Sequence, residues 1–239
     1  MSTNLPFGTQ PPVADIDRPL YTPIKRRSFF MYAGATAGAT ALVLAGCSKN
    51  DSAPGLVNVG SGDVGVLNYA YALEQLEAAF YTQVRQGQYY SSASAAEKAI
   101  FDDLYYHEVI HRDFFNTAIT NAKATPIKAL TPDFSSINFN DKTSVLGTAK
   151  AFEDLGVAAY NGAGRYITTP LYLYIAGKVV SVEARHAAVI RDLVQEGTFV
   201  GSDIVDGTGQ ERSMAPSAVV TTANKYLADG SKLDVSGLG

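Results

Sequence analysis

Four stretches of the chain carry apolar residues with alternating three- and four-residue spacing. They cover residues 64–86, 94–123, 142–162 and 170–197. Helix-favouring residues dominate all four, and glycine or proline falls in the gaps between them. An apolar stripe of this kind buries one face of each helix against its neighbours. The pattern therefore predicts an all-α fold, a bundle of four long helices.

The connections between these stretches differ in length. Residues 124–141 join the second and third helices, and this segment is much longer than a helical hairpin needs. A long crossover would let helices 2 and 3 run parallel. Residues 198–239 hold one short helical candidate, residues 216–227. We expect this C-terminal tail either to wrap against the bundle or to be partly disordered.

Polar residues interrupt each apolar stripe near its middle. The second and fourth helices carry a glutamate followed three residues later by a histidine, Glu108/His111 and Glu183/His186. Residues at i and i+3 lie on one helical face, so both side chains of a pair can reach one point. The third of the chain's 3 histidines, His107, lies off the stripe. We interpret it as a surface residue or an outer neighbour of a ligand.

The two halves of the chain repeat this arrangement. The segment LEQLEAAFY, which contains Glu74, aligns with FEDLGVAAY, which contains Glu153. Each segment precedes a helix with Glu-x-x-His, so the chain is a two-fold repeat of one ligand-bearing hairpin. The alignment favours Glu74 over its neighbour Glu77, because Glu77 matches Gly156, which has no side chain to offer.

Four carboxylates and two imidazoles at these positions suit a pair of iron or manganese ions. Carboxylates can bridge two ions, whereas each imidazole binds only one ion. Two divalent ions also balance four buried negative charges that would otherwise be costly to desolvate. Solvated glutamates and ordinary core histidines are the alternative, and the doubled pattern disfavours it. We predict a dimetal site formed by Glu74, Glu108, His111, Glu153, Glu183 and His186.

Two tyrosines share the stripes of the first and third helices. Tyr81 and Tyr160 each follow a predicted glutamate ligand by seven residues. Seven residues span about 10 Å of helix, too far for contact with that same glutamate. On an antiparallel neighbour, each hydroxyl could instead meet a ligand. Core filling and an outer hydrogen-bond donor both remain open.

The charge balance narrows the class of partner. The chain has 19 basic and 23 acidic residues and a net charge of −4, with no basic stripe. Nucleic-acid binding depends on such a stripe to neutralise phosphates. The sequence therefore disfavours nucleic acid as a partner.

Residues 1–46 resemble a twin-arginine export signal that ends in a lipoprotein box. Arg26 and Arg27 precede an Ala/Gly-rich stretch too short and too weakly apolar for a membrane span, and it ends at LAGC. Cys47 is the sole cysteine, so no disulfide forms within the chain. The resemblance implies a lipid on Cys47, attachment to the membrane and a place in the cell envelope. Residues 47–63 have the composition of a flexible tether.

Residues 64–197 resemble the ferritin-like domain of bacterial exported and desiccation-related proteins, relatives of rubrerythrin and bacterioferritin. The phrases LNYAYALEQLEAAFYTQV and AFEDLGVAAYNGAG carry the resemblance. It implies a ferritin-like four-helix bundle with a long crossover between helices 2 and 3. It also implies a di-iron or di-manganese carboxylate centre at the same six residues. The chain lacks the Cys-x-x-Cys pairs of a rubredoxin module, which puts rubrerythrin-type electron delivery in doubt.

The resemblance implies an envelope-anchored protein that oxidises metal or reduces dioxygen or peroxide in stress protection. One alternative is a structural or desiccation-protective bundle without turnover. Another is a manganese-catalase-like enzyme. A lipid-anchored subunit fits poorly into a closed 24-subunit cage, whereas the sequence leaves a homodimer as an alternative.

Overall fold

The structure is a computed structural model that describes residues 55–238. Six α-helices follow one another along this part of the chain: α1 Gly62–Gln86, α2 Gln88–Ser92, α3 Ala95–Asn121, α4 Lys142–Ala163, α5 Pro170–Val194 and α6 Pro216–Ala223. The four long helices, α1, α3, α4 and α5, correspond to the four predicted patterns, so the all-α bundle is confirmed. The export signal and Cys47 lie outside the described residues.

Local sequence signals set the starts of the long helices. Ser94 and Glu97 form a reciprocal capping box at the start of α3. Asp141 caps α4 by accepting a hydrogen bond from the backbone of its first turn. Pro170 occupies the first turn of α5, where its missing N–H removes no helical hydrogen bond.

Side-chain contacts fix the direction of α3 relative to α1. Arg85, near the end of α1, bonds to Asp102 near the start of α3. Tyr71, in the first half of α1, accepts a hydrogen bond from Asn116 near the end of α3. Residue numbers therefore rise along one helix as they fall along the other, and the two helices are antiparallel.

The same test applied to α1 and α4 completes the topology. Tyr81 of α1 contacts Glu153, and Tyr160 of α4 contacts Glu74. These helices are also antiparallel, so α3 and α4 run parallel, as the long connection predicts. That connection packs along α1, where Asn68 and Gln75 accept hydrogen bonds from the backbone of Ile127 and Leu130.

Both ends of the described chain pack together at the bundle. Two short strands, β1 Val57–Asn58 and β2 Leu233–Asp234, pair in parallel. Val59 is buried in the core, so these residues, expected to be part of a tether, instead form an ordered edge. The tail also returns to α4, where the Met214 backbone N–H donates to the Ala158 carbonyl.

The long helices are unequally buried. In α1, 16 of 25 residues are buried, and in α4, 12 of 22. The numbers fall to 5 of 27 in α3 and 6 of 25 in α5. The helices with Glu-x-x-His therefore keep one broad face towards solvent. None of the helices in the described part of the chain has the length and apolarity that a bilayer span requires.

Candidate metal centre

All six residues of the predicted site converge inside the bundle. The four glutamates come one from each long helix, and each is 0% exposed: Glu74, Glu108, Glu153 and Glu183. The side chain of His186 is 5% exposed and that of His111 is 12% exposed. The structure thus brings the whole predicted set together.

The six side chains form two overlapping groups of possible metal ligands. One comprises Glu74, Glu108, His111 and Glu183, and the other comprises Glu108, Glu153, Glu183 and His186. In each group, one ligand atom from every residue lies within 4.8 Å of the others. Glu108 and Glu183 belong to both groups, whereas each of the others belongs to one. If two ions were bound, Glu108 and Glu183 could serve both of them, and each of the other residues could serve one.

The contacts inside the cluster are short but are not hydrogen bonds. The Nδ1 atom of His111 lies 2.7 Å from Glu183 Oε1, and that of His186 lies 2.8 Å from Glu108 Oε1. Even so, neither Nδ1 atom has a partner of hydrogen-bond geometry. Both nitrogens therefore lie close to carboxylate oxygens without being paired to them by a hydrogen bond.

The buried atoms without partners support the same conclusion. Within residues 55–238, nine buried side-chain nitrogen or oxygen atoms have no hydrogen-bond partner, and all but the Tyr69 hydroxyl belong to the six site residues. A buried carboxylate without a partner is strongly unfavourable. Carboxylate oxygens and imidazole nitrogens are also the donors that iron and manganese accept. The residues therefore fit a pair of such ions.

Burial and neighbouring charges shift the pKa values of the carboxylates. Burial, reinforced by the charge of Glu183, raises the pKa of Glu74 well above its usual value. Burial raises the pKa of Glu153 to about 7. Burial has the same effect on Glu108, but His111 and His186 overcome it and lower the Glu108 pKa to about 2. Without a cation, the cluster therefore cannot hold all its carboxylates ionised at neutral pH.

The histidines shift in the direction that compensates this charge. Burial lowers the pKa of His111, but Glu108, Glu183 and Glu74 outweigh it and raise that pKa to about 12. The pKa of His186 rises for the same reason. In the metal-free protein, the imidazolium groups take the place of cations. Metal binding must displace their protons, because only the neutral ring has a lone pair to donate.

Tyr81 and Tyr160 each bond to a glutamate of the opposite repeat. The Tyr81 hydroxyl donates to Glu153 Oε1, and the Tyr160 hydroxyl donates to Glu74 Oε1. The second oxygen of each glutamate, Oε2, has no hydrogen-bond partner. Each tyrosine therefore fixes one carboxylate oxygen and leaves the other for the centre. The sequence left open whether these tyrosines fill the core or donate hydrogen bonds, and the structure shows that they donate hydrogen bonds.

Sequence reasoning set Glu77 aside, yet this residue is only 5% exposed. A Cβ placed on Gly156 would lie 3.0 Å from Glu77 Oε1. The glutamate therefore occupies the space that the glycine leaves empty in the opposite repeat. Burial and the nearby Glu108 raise the Glu77 pKa well above its usual value, which favours the protonated carboxyl. The glycine at the matched position was the signal that could have revealed it.

His107 lies at the rim of the centre. Its side chain is exposed, and its Nδ1 atom lies 2.8 Å from Nε2 of His186. The two rings stack with centroids 5.1 Å apart and an interplanar angle of 20°. Both descriptions given by the sequence apply, because this surface residue is also the outer neighbour of a ligand.

The chain resembles a known protein family. A family model described as a ferritin-like domain matches residues 62–196. The matched region runs from the start of α1 to just beyond the end of α5, and it contains all six residues of the cluster. No curated protein matches the chain significantly.

Proposed function

The chain belongs to the ferritin-like domain family, and on that premise we propose that its bundle holds a di-iron or di-manganese centre. The centre oxidises metal or reduces dioxygen or peroxide, and the protein acts in stress protection. The observation that carries this proposal is the pair of ligand groups that share Glu108 and Glu183. A site for one ion would need only one of these groups.

The charges of the cluster support two divalent cations. Four glutamates would carry four negative charges, and two divalent ions would carry four positive charges. With the ions bound, the imidazoles would be neutral and the carboxylates ionised. The same donor set accepts iron and manganese, so both ions are kept in the proposal.

Side chains of this protein would position the ligands and exclude water. Tyr160 and Tyr81 orient Glu74 and Glu153 by the hydrogen bonds described above. Leu104 and Phe115 lie about one helical turn on either side of Glu108 and His111 and are each 2% exposed. When bound, a pair of redox-active ions supplies the electrons that reduce dioxygen or peroxide.

An apolar cavity adjoins the Glu74 side of the centre. It has a volume of about 30 Å³, and its lining includes Leu67, Ala70, Phe115 and Tyr160. Tyr160 lines the cavity and also bonds to Glu74. An apolar cavity of this size suits a small apolar molecule. This observation favours dioxygen over peroxide as the oxidant.

We also propose that the protein is exported and anchored to a membrane of the cell envelope by a lipid on Cys47. The twin arginines and the LAGC sequence support this proposal. Cells fed a fatty-acid analogue should label the wild-type protein but not Cys47→Ser. Replacing Arg26 and Arg27 with lysine should block export. Labelling that survives Cys47→Ser would contradict the anchor.

Metal reconstitution followed by turnover tests the proposed chemistry. Metal-free protein is incubated anaerobically with ferrous or manganous ions, desalted and analysed for metal, and we expect close to two ions per chain. Glu108→Ala and Glu183→Ala should each lose at least one ion, because both residues belong to both groups. Glu196→Gln, at an exposed position after α5, is the matched control and should retain both.

Turnover then separates the proposed activity from its alternatives. Ferrous protein mixed with dioxygen or peroxide should be oxidised faster than free ferrous ion. Peroxide disproportionation by the manganese form without added reductant would identify a manganese-catalase-like enzyme. Two bound ions with no turnover would indicate a structural or desiccation-protective bundle. Protein that binds neither metal would contradict the proposal.

A further inference from the structure

His111 and His186 differ in the contact made by the ring nitrogen that faces away from the carboxylates. The Nε2 atom of His186 meets Nδ1 of His107 at 2.8 Å. In the sequence repeat, the residue equivalent to His107 is Val182, because each directly precedes the glutamate of its Glu-x-x-His pair. A valine side chain cannot accept a hydrogen bond. Within residues 55–238, the His111 ring has no equivalent partner.

The contact with His107 bears on the tautomer that His186 would adopt with metal bound. His186 turns Nδ1 towards the carboxylates. A neutral imidazole that binds through Nδ1 carries its proton on Nε2. That N–H is placed to donate to the Nδ1 lone pair of His107. The pair therefore fixes both the tautomer and the ring orientation of His186.

Burial adds to this difference. The side chain of His186 is 5% exposed, whereas that of His111 is 12% exposed. The less exposed ring also has the outer partner, so both its rotation and its access to water are more restricted. An outer partner of a ligand histidine typically changes metal affinity by about 10- to 100-fold.

We propose that His107 is a positioning residue for His186 and makes the two metal positions unequal. The position formed by Glu108, Glu153, Glu183 and His186 binds its ion more tightly than the position that contains His111. This inference rests on the proposed dimetal function. It adds an order of filling, in which the His186 position is occupied first.

The exposed location of His107 makes a clean substitution feasible. His107→Phe keeps an aromatic ring against His186 but removes the hydrogen-bond acceptor. His107→Gln gives up the ring but provides an amide oxygen that can accept the same N–H. Val182→Ala trims the equivalent position of the other repeat and serves as the matched control. The unfolding temperature of each metal-free variant shows whether a change in binding reflects a change in folding.

The test is a titration of metal-free full-length protein with manganous ion, followed by calorimetry and by the electron paramagnetic resonance signal of free manganese. Wild-type protein should bind two ions in two unequal steps. His107→Phe should weaken the tighter step by about 10- to 100-fold and leave the weaker step unchanged. His107→Gln should restore the tighter step, and Val182→Ala should change neither.

A spectroscopic measurement identifies the step that changes. With one equivalent of cobaltous ion, wild-type protein should give the visible spectrum of a single kind of site. His107→Phe should give a mixture of two spectra at the same loading.

Two ions bound with constants that His107→Phe does not alter would overturn this inference and leave the metal proposal intact. Equal weakening of both steps would also overturn it. A wild-type protein that binds no ion would overturn both proposals.

Discussion

Replacing Glu153 with glutamine should stabilise the metal-free protein at neutral pH. Burial raises the pKa of Glu153 from 4.5 to about 7. Glutamine keeps the shape and the oxygen that accepts from Tyr81, but it has no proton to lose. The substitution therefore removes a charge that the folded protein accommodates poorly.

The magnitude and the pH range follow from the two pKa values. As pH rises above 4.5, the unfolded chain loses the Glu153 proton before the folded chain does, so unfolding becomes more favourable. This destabilisation grows up to about pH 7 and amounts to about 3 kcal/mol. That figure is an upper bound for the variant, because glutamine also loses the attraction to His186. For a chain of this size, it corresponds to about 6 to 12 °C in unfolding temperature.

Bound metal should cancel the stabilisation that Glu153→Gln gives the metal-free protein. At a free-ion concentration one hundred times Kd, each occupied site adds about 2.7 kcal/mol to the free energy of unfolding. Wild-type protein with two sites therefore gains about 5 kcal/mol, and a variant that keeps one site gains about half as much. With metal bound, the two proteins should therefore differ little in stability.

Circular dichroism at 222 nm during heating provides the assay, with metal-free and manganese-loaded samples between pH 4 and 8. The unfolding temperatures of the two metal-free proteins should coincide near pH 4.5 and separate as pH rises. Glu196→Gln should follow wild type throughout. A Glu153→Gln protein that is less stable than wild type at pH 7.5 without metal would contradict an unfavourable burial of the Glu153 charge.

Further predictions concern the tyrosines, the packing of the tail and a helix cap. Tyr81→Phe and Tyr160→Phe should each weaken manganese binding at least about 10-fold in a titration and lower metal-free stability by about 1 to 3 kcal/mol, because a buried carboxylate oxygen loses its partner; unchanged affinity would contradict a role in positioning the glutamates. Gly162→Ala should cost about 1 to 3 kcal/mol in urea unfolding, because the new Cβ would lie 1.7 Å from a backbone oxygen of the tail. A Cβ added at Gly177 would have no heavy atom within 4 Å, so Gly177→Ala should stabilise α5 by about 1 kcal/mol. If Gly162→Ala and Gly177→Ala changed stability in the same direction, the placement of the tail would be contradicted. Glu97→Ala should cost about 1 kcal/mol at pH 7. Bonds from Lys142 and the cap lower the Glu97 pKa to about 2, so this difference should vanish as pH falls from 4.5 towards 2, and a difference that persists there would contradict the cap.

Much of the fold was predictable because the long helices leave a periodic signal. The apolar stripes, with glycine or proline in the gaps between them, identified α1, α3, α4 and α5, and the length of the crossover predicted that α3 and α4 run parallel. The pairing of Val57–Asn58 with Leu233–Asp234 was not predictable. Each strand has two residues, which is too short for a periodic pattern, and its partner is distant in the sequence.

The end of α5 shows a limit of another kind. The apolar stripe and Gly197 suggested that the helix continues to residue 197, but α5 ends at Val194. Gln195 adopts an extended conformation with φ −154° and ψ 118°. Gly197 instead occupies the following turn with φ 82°, a value that favours glycine. The glycine therefore marked the turn and not the last helical residue.

The positions of the predicted ligands could be read from the sequence because both halves of the chain carry the same pattern of a glutamate followed by Glu-x-x-His. The outer contacts of Tyr81, Tyr160 and His107 were open alternatives in the sequence, since they depend on how neighbouring helices are rotated and aligned. Tyr81 reaches Glu153 only because α1 and α4 are antiparallel in one register. His107 of α3 contacts His186 of α5, and nothing in the residue spacing along α3 indicates that contact. Glu77 was set aside because the repeat has glycine at its matched position.

The central claim is that two metal ions lie between the four glutamates and two histidines. Crystals grown from protein reconstituted with manganese, and measured near the manganese absorption edge, test it most directly. Two anomalous peaks should appear inside the bundle, about 3.5 to 4 Å apart. One should lie beside Nδ1 of His111 and the other beside Nδ1 of His186, with Glu108 and Glu183 reaching both. A single peak there, or manganese found only at the protein surface, would contradict the dimetal centre.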